Sequence, residues 1–78
     1  MTSKTEDVTG TKDQDYNVIW FTEACLSNAA RLEQYIKDAQ KAGNAELVEF
    51  FKKAQAESQK GAELGKEMLK TLLGAAPR

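Results

Sequence analysis

Residues 38–47 read DAQKAGNAEL, and the pair Gly43-Asn44 at their centre decides the fold. Glycine accepts the left-handed backbone on which helices often end, and asparagine is a good N-cap for a helix that follows. Glu46 comes next, where an acidic side chain meets the positive end of a new helix dipole. A chain that stops one helix and starts another within two residues turns back on itself, so the expected motif is a tight αα-hairpin.

Outward from this turn, both arms read as long helices. Between Asp15 and Gly43 there is neither Gly nor Pro, so about 28 residues can run as one helix, roughly 42 Å long, with Asp15 as the N-cap. Within it Val18, Thr22, Cys25, Ala29, Leu32, Ile36 and Ala39 recur in steps of four and three. They form one apolar stripe, flanked by Ile19, Phe21, Leu26 and Tyr35. The second helix is expected from Ala45 to about Leu73, where Gly74, Ala75, Ala76 and Pro77 let it fray. Its stripe is Leu47, Phe51, Ala54, Ser58, Gly61, Gly65, Met68 and Leu72, widened by Val48, Ala62, Leu69 and Leu73. Outside the stripes, Glu33–Lys37, Glu49–Lys53, Glu63–Lys66 and Glu67–Lys70 stand at helical spacing as solvated surface pairs.

The ends differ in character. Residues 1–14, MTSKTEDVTGTKDQ, hold only Val8 as a buriable side chain after Met1 and are expected to form a disordered tail. Residues 15–74 are the hairpin, and 75–78 a frayed end. About 60 ordered residues bury too little surface to be stable alone, and a lone hairpin covers only half of each stripe. With Cys25 the single cysteine, no internal disulfide can help. The expected solution is an all-α homodimer in which two hairpins close into an antiparallel four-helix bundle.

Facing positions in such a hairpin sum to about 87 if the turn lies at Gly43-Asn44. Ala29 then lies level with Ser58, Cys25 with Gly61 and Ala62, and Thr22 with Gly65, all of them small. Bulky residues sit above and below: Leu32, Ile36, Leu47 and Phe51 toward the turn, and Val18, Phe21, Met68, Leu69 and Leu72 toward the open end. Two readings follow. Either the backbones approach closely, as Gly61-x-x-x-Gly65 spacing permits, or a central pocket takes a side chain such as Tyr35 or Phe21, or a small ligand. Cys25, on the stripe with no His or second Cys nearby, reads as a small buried hydrophobe. Asn28, at the stripe's edge, either pairs with a neighbour such as Ser58 or is solvated. Trp20 lies off the stripe and either wraps the helix end or anchors a second interface.

Composition excludes several function classes. Among 78 residues, 41% hydrophobic and 29% charged, there is no His, so His-based zinc sites and Ser-His or Cys-His catalysis have no basis. Eleven basic residues against twelve acidic leave a net charge of −1, without the basic excess that binding to phosphates uses. No apolar run approaches the roughly 20 residues of a membrane span, neither helix has a predominantly basic polar face, and no basic-then-apolar leader opens the chain. The expectation is a cytoplasmic, non-enzymatic protein without cofactor, nucleic acid or membrane partner.

The segment ARLEQYIKDAQKAGNAELVEFFKKAQAESQKGAEL, residues 30–64, resembles the first helical hairpin of the rubrerythrin branch of the ferritin-like proteins. There a long helix ends in a KxG-type turn and the next begins with an acidic, Phe-containing run. The resemblance covers roughly residues 18–65. It implies a Glu in the first helix and a Glu-x-x-His in the second, which with a second hairpin would hold two metal ions. An ungapped alignment about Gly43 puts Cys25, Ser58 and Gly61 at those positions. A shift of one residue restores Glu57 but sets Lys60 where the His belongs. The resemblance thus implies the fold and argues against the family's oxidase chemistry. Two functions follow as expectations: a helical association module that dimerises and presents its outer faces to a partner, or a metal-handling ferritin-like protein with a displaced carboxylate site at Glu23, Glu33 or Glu57.

Overall fold

Residues 13–74 are described by the computed structural model. They form two helices, α1 (Asp13–Lys41) and α2 (Ala45–Gly74), packed side by side as an antiparallel hairpin. There is no strand among the described residues.

The turn is built as its sequence requires. Gly43 has a φ of 73°, the left-handed conformation that costs a residue with a Cβ ~1–2 kcal/mol. Its N–H donates to the Gln40 carbonyl and the Asn44 N–H to the Ala39 carbonyl, both at 3.0 Å, the paired bonds of a Schellman ending. Asn44 then changes role. Its Oδ1 accepts from the Leu47 N–H at 3.0 Å, and its carbonyl accepts from the Val48 N–H at 3.0 Å, which makes it the N-cap of α2. One residue closes the first helix and opens the second, so no spare chain separates them.

The other helix boundary lies elsewhere than expected. α1 is already helical at Asp13, so Asp15 stands inside its first turn and is not the cap. Asp13 and Gln14 belong to the helix, not to a tail. Residues 1–12 and 75–78, expected as tail and frayed end, lie outside the described residues. α2 ends at Gly74, one residue past its expected end.

The helices meet along the expected stripes and register. Asn28 faces Ser58, Tyr35 faces Phe51, Cys25 lies against Gly61 and Thr22 against Gly65. The buried apolar residues are Ala29, Leu32, Ile36, Ala39 and Ala62; three of these five are alanines, which sets a small core. Thr22 is buried too, its hydroxyl donating to the Val18 carbonyl at 2.7 Å. Of the four expected surface pairs, Lys66–Glu63 forms at 3.7 Å, and it is the one ion pair among the described residues. Glu33 is engaged otherwise: Gln55 Nε2 donates to Glu33 Oε1 and to the Ala29 carbonyl, both at 3.0 Å. That bridge between helices displaces the Glu33–Lys37 pairing.

Candidate interaction face

The small layer is a place of close approach. A methyl group built on Gly65 would fall on Thr22 Oγ1 and stand 3.0 Å from Thr22 Cβ; one built on Gly61 would stand 2.8 Å from Cys25 Sγ and 3.4 Å from Phe21 Cζ. The hairpin therefore has no room between Cys25 and Gly61 for a ligand. Phe21 lies over Gly61 from its own chain.

The seam residues divide between core and surface. Ala29, Leu32, Ile36 and Gly65 are buried between the helices, and Val18, Cys25, Phe51, Ser58, Gly61 and Leu72 are half-buried. Leu47 and Met68 are exposed; the hairpin does not enclose them.

These exposed residues share one flank of the hairpin. Phe21, Leu64 and Met68 line a groove at the open end together with Val18 and Gly65. Phe21 also borders the next depression, with Cys25, Asn28, Arg31 and Ser58. Toward the turn, Tyr35, Leu47 and Phe51 line a third groove. Phe51 packs its ring at 5.4 Å from both Tyr35 and Phe50, a tilted aromatic arrangement that favours contact. Midway between the aromatic and aliphatic ends, Asn28 Nδ2 donates to Ser58 Oγ at 2.8 Å. This flank is thus an apolar strip interrupted at its middle by a hydrogen-bonded polar pair, with the charged Arg31 and Glu57 beside it. Helical periodicity sets the Gln55 bridge on the opposite flank, since Glu33 is well over a quarter turn round from Asn28.

Period-seven spacing in the sequence carries this strip: Phe21, Asn28 and Tyr35 in α1, and Phe50, Glu57 and Leu64 in α2. Phe50 and Leu64 lie outside the two stripes that face each other across the hairpin, so helical periodicity about those stripes reads them as ordinary surface positions. The Gln55 bridge has no comparable signal, because a glutamine on a helix flank is ordinary.

Trp20 is the most exposed of the large apolar side chains at 67%, and it stacks on Tyr16 with ring centroids 5.9 Å apart. The carboxylates do not converge. Among the described residues no three Cys, Asp or Glu side chains stand together as metal ligands would; Glu23 accepts from Ser27 and Glu33 from Gln55. Cys25 is a free, half-buried thiol. No described helix is long and apolar enough to cross a membrane. Comparison of the chain with protein-family models, with curated proteins and with solved structures finds no match.

Proposed function

We propose that the chain is a non-enzymatic helical association module. Its hairpin pairs with a second copy into a four-helix bundle and offers its outer side to a further protein partner. One observation carries the reading: among the described residues Leu32 and Ile36 are the only large apolar side chains the hairpin buries, while Phe21, Phe50, Leu64 and Met68 stay about half exposed or more on a single flank. Soluble monomers rarely leave a contiguous apolar strip of this extent open to water, and two helices without a disulfide lack the core to stand alone. Trp20 stacked on Tyr16 is the anchor for the further partner, since exposed aromatic pairs of this kind concentrate binding energy. The likeness to the ferritin-like hairpin concerns this same two-helix unit. Balanced charge makes nucleic acid a poor partner.

Sedimentation equilibrium tests the reading. The expected result is a mass twice that of the chain at micromolar concentration, and a melting temperature that rises with concentration, since mass action favours the assembled state. A folded monomer whose melting is indifferent to dilution would refute it.

A further inference from the structure

The strip has the area and the charges for a second copy in one particular orientation. Phe21, Tyr35, Leu47, Phe50, Leu64 and Met68 are each between 37% and 62% exposed; at ~200 Å² for a whole large side chain, on the order of 600 Å² of these six alone faces water. Half-buried Cys25, Phe51, Ala54 and Ser58 lie among them. The total approaches the ~800 Å² per partner that a stable interface covers.

Two exposed, oppositely charged residues stand on the lips of the strip at one height. Arg31 is three residues beyond Asn28 on α1, and Glu57 adjoins Ser58 on α2, so the Asn28–Ser58 bond fixes both to the same layer. Neither has an ion-pair partner in the hairpin, whose one such pair among the described residues is Lys66–Glu63. Arg31 is on one helix and Glu57 on the other, and a two-fold axis parallel to the helices exchanges the helices while keeping heights. It sets each Arg31 beside Glu57 of the second copy, twice. The same operation brings Phe21 against the level of Leu64 and Met68, and Tyr35 against that of Phe50 and Phe51. An axis across the helices, level with Asn28, instead lays α1 on α1 and sets Arg31 over Ala24 and Cys25 of the other copy, away from any acid.

We propose that a second copy covers this strip with both turns at the same end of the bundle, α1 of each hairpin against α2 of the other, and Arg31 of each paired with Glu57 of the other. This rests on the association reading above and adds orientation and contacts to it. Arg31→Glu or Glu57→Arg alone creates two like-charge contacts and is expected to weaken dimerisation roughly tenfold; the double swap is expected to restore it to within about threefold. Both positions are exposed, so helix content in the variants should match the parent and shows that the hairpin is intact. Orientation is read separately from a nitroxide on Ala42→Cys in a Cys25→Ser background. Same-end turns bring the two labels to within about 25 Å, whereas opposite-end turns separate them by about the length of α1, roughly 40 Å. A long distance, or a double swap no tighter than the single reversals in a chain that still weighs as a dimer, overturns the arrangement and leaves the association reading standing. A parent chain that weighs as a monomer at tens of micromolar overturns both.

Discussion

Thr22 and Gly65 determine how near the helices come. Thr22 is buried, its hydroxyl is committed to the Val18 carbonyl, and its Cβ is part of the obstacle to any side chain at Gly65, so rotating the threonine does not clear the space. Gly65→Ala should therefore cost about 1 kcal/mol or more of stability, seen as a lower urea midpoint, despite the gain of ~1 kcal/mol that replacing a helical glycine brings by itself. Thr22→Ala in the same chain should recover part of the loss, a coupling visible in a double-mutant cycle. Gly61 is the contrasting case. Its nearest obstacle is Cys25 Sγ, the far end of a side chain that can turn, and the next is the exposed ring of Phe21. Gly61→Ala should be neutral or slightly stabilising, while Gly61→Leu must displace both neighbours and should cost ~1–3 kcal/mol. Sequence spacing locates this small layer but treats its two glycines alike, because whether a neighbour can yield depends on which atom of it is in the way.

In the helices and their turn, legibility follows how local the cause is. Gly43 and Asn44 reveal the reversal because positive φ and capping are properties of single residues and their immediate neighbours. The start of α1 is less legible. Asp13, Gln14 and Asp15 are all polar and none forbids helix, so nothing local stops the helix at Asp15, and the residue expected as its cap lies inside its first turn. The turn also makes a clean test. A methyl on Gly43 meets nothing within 4 Å, so Gly43→Ala isolates backbone strain and should cost about 1 kcal/mol, with Gly43→Asn costing less. Asn44→Ala should remove ~0.5–2 kcal/mol by stripping the cap from α2. Thermal melts followed by circular dichroism at one fixed chain concentration check all three.

At the scale of the whole molecule, the question is which losses belong to the hairpin and which to its pairing. Phe50 is 61% exposed in the hairpin and touches only the edge of the core through Phe51, so Phe50→Ser should cost a monomer about 1 kcal/mol yet weaken dimerisation at least tenfold. Phe51, wedged between Tyr35 and Phe50, should cost about 3 kcal/mol as Phe51→Ala, in folding and pairing together. A dimerisation constant unchanged in Phe50→Ser would mean that this flank is not the one covered. The strip is half visible from the sequence: Phe21, Phe51 and Met68 fall within the stripes or beside them, whereas Phe50 and Leu64 do not, because the stripes report only the face each helix turns to the other. The core is also lopsided along its length. Leu32, Ile36 and Ala39 are buried in the half nearest the turn, whereas past Thr22 and Gly65 the flanking Val18, Met68 and Leu72 stay partly open. A hairpin tethered at one end and loosely held at the other opens from its free end, as a zipper does, without losing its tethered half. Amide protons should therefore exchange along a gradient, slowest around Ile36 and Val48 and fastest around Val18 and Leu72, and under the proposed pairing dilution should steepen that gradient before it reaches the turn.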